Sequence, residues 1–141
     1  MKKIFISSDH AGFNLKEQIK KKFSKKFLFQ DMGTDNSKTS VNYPDYAKKL
    51  AKRVKAQKSD IGILVCGSGT GMAISANKIK GIRAAVCYSV KNAKLSRLHN
   101  NANIITLGSR LTKKNIALKC VDAFINTKFD GGRHLKRVKK I

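Results

Sequence analysis

Apolar residues recur along this chain in two alternating rhythms. Short, nearly continuous apolar runs at Lys3–Ser7, Phe27–Phe29, Ile61–Cys66, Arg83–Cys87 and Asn103–Leu107 predict five strands. Between them lie segments with apolar positions three or four apart, the spacing of one helical face. Leu15, Ile19 and Phe23 mark such a face between Phe13 and Lys26. Tyr46, Leu50 and Val54, with Ala47 and Ala51, mark a second in a helix opening near Pro44. Proline suits a first turn, where its missing N–H breaks no helical bond. Met72, Ala73, Ala76 and Ile79 belong to a third helix, and a fourth runs from Ala93 to about Leu98. A fifth buries Ile116, Ala117, Cys120, Val121 and Phe124, with Thr112 as its expected cap.

Strands alternating with helices predict a three-layer α/β domain of Rossmann-like type, with a five-stranded parallel sheet and helices on both faces. Ile61–Cys66 is apolar at almost every position, as a central parallel strand buried on both faces requires. No internal repeat or linker interrupts the pattern. Residues 1–141 are therefore expected to form one domain, with 129–141 as a basic C-terminal tail.

In such sheets ligands bind beyond the carboxyl ends of the strands. Three polar turns fall there: Asp9-His10 after the first strand, Cys66 to Gly71 after the third, and Gly108-Ser109-Arg110 after the fifth. Gly67-Ser68-Gly69-Thr70-Gly71 lets a backbone approach a ligand closely, and the amides opening the next helix can face negative charge. It has neither the Lys-Ser/Thr ending of a P-loop nor the spacing and position of a dinucleotide fingerprint. A plain tight turn is the competing reading. Cys66 directly before it occupies a place where a helix start can activate a thiol. Cys87 and Cys120 lie within regular apolar patterns and read as small core residues.

The 141 residues carry a formal charge of +23, from 31 basic and 8 acidic side chains. That balance first suggests nucleic acid. The lysines are spread over polar faces, however, without one basic segment interleaved with aromatics, so a solvated Lys-rich surface is the preferred reading. Three widely spaced cysteines fit neither a disulfide framework nor a zinc site. No apolar run approaches the ~20 residues of a membrane span. The N-terminal apolar stretch also stops far short of a signal-peptide core. A cytoplasmic location and no membrane partner are expected. Arginine is rarer, at Arg53, Arg83, Arg97, Arg110, Arg133 and Arg137, and its planar fork suits phosphate. Arg133 and Arg137 would share a face if the tail is helical.

Taken in order, Ser8-Asp9-His10-Ala11-Gly12-Phe13, Tyr43-Pro44-Asp45-Tyr46-Ala47, Cys66-Gly67-Ser68-Gly69-Thr70-Gly71, Ala76-Asn77-Lys78, Gly81-Ile82-Arg83-Ala84-Ala85, Arg97-Leu98-His99-Asn100, Leu107-Gly108-Ser109-Arg110 and Gly131-Gly132-Arg133-His134 resemble the type B ribose-5-phosphate isomerase family, which includes galactose-6-phosphate isomerase subunits. The resemblance spans nearly the whole chain. It implies a metal-independent, cofactor-free isomerase that interconverts ribose 5-phosphate and ribulose 5-phosphate through an enediolate. Cys66 would be the base and His99 would assist ring opening, with Asp9. The Gly67, Ser68, Gly69, Thr70 and Gly71 backbone, with Ser68 and Asn100, would steady the enediolate. His10, Arg110, Arg133 and Arg137 would hold phosphate, and Tyr43 would line the pocket. The resemblance further implies a homodimer or tetramer in which His99 and some arginines complete a neighbour's site. Ser7-Ser8 stands where the family more often has a glycine-containing opening, and Asn101 where it often has Asp. The alternatives are an isomerase of a hexose 6-phosphate, of galactose or allose type, and, more distantly, a basic nucleic-acid-binding domain.

Overall fold

Parallel strands must be joined by crossovers that return the chain to the starting edge, and here helices do this. The computed structural model describes residues 1–57 and 60–141, and among these the order is β1 (Lys2–Ser8), α1 (Phe13–Phe23), β2 (Phe27–Asp31), α2 (Tyr43–Lys55), β3 (Ile61–Cys66), α3 (Thr70–Ala76), β4 (Ala84–Val86), α4 (Val90–Asn100), β5 (Ile104–Gly108), α5 (Lys114–Asn126) and α6 (Arg133–Val138). All strand pairs are parallel, in the order β2-β1-β3-β5-β4.

The central strands sort their side chains by parity. Ile4, Ile6, Ile63, Val65, Ile105 and Leu107 point to a core shared with α1, α4 and α5. Phe5, Leu64, Cys66 and Ile104 point to the other core, under α2 and α3. The sheet is therefore covered on both faces, as the alternation of elements predicts. The chain moves outward from β1 to β2, then crosses back to β3, so the switch in winding direction lies between β1 and β3. Their carboxyl ends, Ser8 and Cys66, flank the crevice where ligands gather in this architecture.

Several boundaries differ from the sequence pattern. β2 continues through Gln30 and Asp31, because pairing with β1 (Phe5↔Gln30, Ile6↔Asp31) holds polar residues on an edge strand. β4, also at an edge, shortens to three residues. α1 stops at Phe23, where the Lys26 N–H turns back to the Phe23 carbonyl. α4 begins at Val90 rather than Ala93, since the Ser89 hydroxyl accepts from the Asn92 N–H and the Asn92 side chain accepts from the Ser89 N–H. With Asn in place of Glu or Gln, that reciprocal cap carries a weak sequence signature. Thr112 does not cap α5. Its N–H bonds the Gly108 carbonyl in a separate turn, and the Lys113 carbonyl accepts the first helical bond instead. The tail is not merely a solvated strand of charge: it forms α6, which packs on α4.

Candidate active site

The carboxyl end of β3 sets the geometry. Cys66 is the last strand residue, only 5% exposed, and its Sγ accepts a hydrogen bond from the Gly69 N–H at 3.1 Å. Gly69 reaches that position with φ of 78°, a left-handed conformation that costs glycine little. The turn is clamped from β5. The buried Thr106 hydroxyl donates to the Gly69 carbonyl at 2.8 Å, the Ser109 N–H donates to the Cys66 carbonyl, and the Arg110 N–H donates to the Gly67 carbonyl. These bonds prolong the β3–β5 pairing past the strands, so Gly67–Gly71 is a fixed platform and not a free loop.

Arg110 follows with its side chain against that platform. A Cβ placed on Gly67 would lie 3.2 Å from an Arg110 guanidinium nitrogen. The Tyr43 ring covers Gly71 in the same manner, leaving no room for a Cβ. Asp9, buried beyond β1, accepts the Gly12 N–H on Oδ1 at 3.0 Å, which folds its carboxylate into the turn opening α1. His10 is half-buried, and its Nδ1 accepts the Val41 N–H at 3.2 Å. The Ser68 hydroxyl accepts from the Thr70 N–H. One edge of the sheet therefore gathers Asp9, His10, Cys66, Gly67 to Gly71 and Arg110.

His99, Asn100, Arg133 and Arg137 lie elsewhere. α4 runs back along the sheet after β4, so its last residues arrive where the strands begin. There the Asn103 N–H bonds the Arg83 carbonyl just before β4, and the Asn103 carbonyl accepts from Gly62 at the start of β3. α6 docks on that end of α4, with the His99 and His134 rings stacked at 4.3 Å and 15°. His99, Asn100, His134, Arg137, Val138 and Ile141 line a cavity of about 410 Å³. Partial desolvation, then the positive charges of His99, Arg133 and Arg137, hold the His134 imidazole below its ordinary pKa against the pull of Asp130. A five-residue strand spans roughly 16 Å at ~3.3 Å per residue. Within one copy, the two groups therefore sit at opposite edges of the sheet and cannot touch one substrate.

Arg97 is occupied structurally. Its guanidinium bonds the Thr127 and Ala102 carbonyls and the Asn101 side chain, tying the start of the tail to α4. Sequence spacing does not single out His134, although Gly131-Gly132-Arg133-His134 contains it; its stacking on His99 appears only in the fold. Burial pushes the Cys87 thiol up to about 12, and Cys120 is also raised by burial. Both behave as core residues, as their apolar surroundings predict. Among the described residues, no three His, Cys, Asp or Glu side chains gather as metal ligands, and no helix is long and apolar enough to cross a membrane.

The family model described as Ribose/Galactose Isomerase matches residues 4–141. Ribose-5-phosphate isomerase B of Escherichia coli (strain K12) is 42% identical over 142 residues, covering 100% of this chain and 95% of that protein. The structure of ribose-5-phosphate isomerase B from Clostridium thermocellum superposes with a TM-score of 0.94 at 47% identity, covering 98% of this chain and 93% of that one. The Mycoplasma genitalium enzyme with bound ribulose 5-phosphate gives 0.94 at 42% identity, covering 98% and 92%.

Proposed function

Because the chain belongs to the ribose/galactose isomerase family, we propose that it interconverts ribose 5-phosphate and ribulose 5-phosphate, in sites each assembled from two copies of the chain. Cys66 carries this assignment. Its sulfur stands at the end of a rigid strand and accepts the Gly69 N–H, a bond directed as a negatively charged sulfur needs.

The chemistry is a proton transfer between adjacent carbons. After ring opening, the Cys66 thiolate removes the proton from C2 of the aldose. The C–H electron pair forms the C1=C2 double bond, and the C1 carbonyl oxygen takes the negative charge. The O2 hydroxyl proton passes to O1, the thiol returns its proton to C1, and O2 becomes the ketone oxygen. No electrons leave the substrate. A hydrogen next to a carbonyl is a weak acid, so the developing oxyanion needs donors already in place. The Gly67 to Gly71 backbone, with Ser68, supplies them at this edge. Arg110 and His10 meet the phosphate at the far end of the substrate. His99 and Asn100 of a second copy reach the ring oxygen and enediolate, and Arg133 and Arg137 of that copy close on the phosphate. The opposite-edge placement of the two groups supports sharing, and twofold pairing would satisfy both sites at once.

A coupled assay on ribose 5-phosphate, galactose 6-phosphate and allose 6-phosphate, without added metal, tests the assignment. Turnover of the pentose by the purified chain alone is expected. Activity confined to a hexose phosphate, or appearing only with a second and different subunit, would overturn it. Sequence-selective nucleic-acid binding at physiological salt without turnover would favour the basic-domain alternative instead.

A further inference from the structure

We propose that Lys16 is a positioning residue for this reaction: it locks the segment after β2 onto the end of β1, and so holds His10 with its ring proton on Nε2. This rests on the isomerase reading for its substrate but not for its geometry. Lys16 lies on α1 and is 1% exposed, a rare state for lysine unless it is fully paired. Its Nζ uses all three donors, to Asp31 Oδ1 at 2.8 Å, Asp31 Oδ2 at 2.9 Å and the Thr34 carbonyl at 2.6 Å.

Those acceptors belong to the chain leaving β2, which is bound to the last two residues of β1. The Ser8 N–H donates to the Gly33 carbonyl at 2.7 Å, the Ser7 hydroxyl to the same oxygen at 2.8 Å, and the Thr34 N–H to the Ser8 carbonyl at 2.7 Å. Asp31 Oδ1 also accepts the Gly33 N–H. Asp9 and His10 come next in the chain. The same anchored segment runs on to Val41, whose N–H meets His10 Nδ1. With Nδ1 accepting, the proton of the neutral ring sits on Nε2, leaving that N–H to donate to a phosphate or sugar oxygen. Burying an ammonium is costly, and an apolar side chain there would serve the core without that cost. What Lys16 adds is a bridge from Asp31 to Thr34, which together with the Ser7 and Ser8 bonds sets the register of the loop over His10.

Lys16→Met tests this, because it removes the two Asp31 bonds and the Thr34 tie together while Lys20 still pairs Asp31 Oδ2 from the solvent side. The chain has three histidines, so ¹⁵N spectra of labelled rings are readily assigned with His10→Gln. Wild-type His10 is expected to show a protonated Nε2 and an accepting Nδ1. In Lys16→Met it is expected to become a mixture of tautomers, with KM for ribose 5-phosphate rising about tenfold and kcat staying within about twofold. Lys16→Gln keeps an amide NH2 donor group but is too short to span Asp31 and Thr34 together, so the same changes should appear in smaller measure. A wild-type ring protonated on Nδ1, or exchanging between tautomers, overturns the proposal whether or not the variants fold. A folded variant with only a lower Tm, and with unchanged tautomer and KM, also overturns it and leaves Lys16 a structural residue. Absence of any turnover of ribose 5-phosphate would instead remove the isomerase reading, while the ring spectra still decide the role of Lys16.

Discussion

A thiol at Cys66 is buried enough to be shielded from bulk water and yet lies at the mouth of the crevice between β1 and β3. Cys87 and Cys120 are also buried, but both line the opposite core, where burial is the main influence on them. The difference is position and not composition. Cys66→Ala removes the proton carrier and leaves the backbone donors and Arg110 in place. Its kcat is expected to fall at least about a thousandfold, as for loss of a group that acts in the transition state. Calorimetry with a non-reacting sugar phosphate, such as ribitol 5-phosphate, should give affinity within about twofold of wild type. A variant retaining most of its turnover would show that another group moves the proton. At this scale the sequence was informative for Cys66, because a strand-ending residue before three glycines departs from the apolar pattern around it. It was silent on Lys16, since one buried lysine in a lysine-rich chain breaks no periodicity.

The elements are held in register partly by polar clamps at their ends. Asp31, closing β2, accepts from Lys16, Lys20 and the Gly33 N–H. Partial burial works to raise its pKa, but these hydrogen bonds prevail and hold the carboxyl below the ordinary range. A depressed carboxylate contributes stability that is present above its unfolded pKa, near 3.9. As pH falls, the unfolded chain takes up this proton first, and the contribution is lost as pH drops through the lower folded value. Urea titrations should therefore show stability falling below about pH 4. Asp31→Asn is expected to be less stable at pH 7 and to have a shallower acid limb; an equally steep limb would mean that other carboxylates control it. Most helices and strands were legible from apolar spacing, since burial of one face or two is a local imprint of the core. The ends were less so. β2 carries polar residues because its neighbour supplies the hydrogen bonds, and α4 gains a turn through a cap built from Ser89 and Asn92.

At the scale of the whole molecule, the charge of +23 gives a field that attracts anionic substrates, which suits a sugar phosphate as readily as a nucleic acid. The more specific consequence comes from the separation of Cys66 and His99 across the sheet. If each site takes Cys66 from one copy and His99 from another, two inactive variants can repair each other. Mixing Cys66→Ala with His99→Ala after dissociation and reassociation should restore about a quarter of wild-type activity, because random pairing makes half the dimers mixed and each of those holds one intact site. No recovery beyond the sum of the separate variants would mean that the sites are not shared. Read alone, the amino-acid order settled the alternation of strands and helices, the carboxyl-edge turns at Asp9, Cys66 and Arg110, and the chemistry those side chains can perform. These follow from spacing and covalent neighbourhood. Only the tertiary structure decided the strand order that opens the crevice between β1 and β3, the seating of Arg110 on Gly67, the stacking of His134 on His99, and the burial of Lys16 beneath the loop that meets His10. Each of those joins residues far apart in the chain, and their meeting depends on how whole elements pack, which no local periodicity encodes.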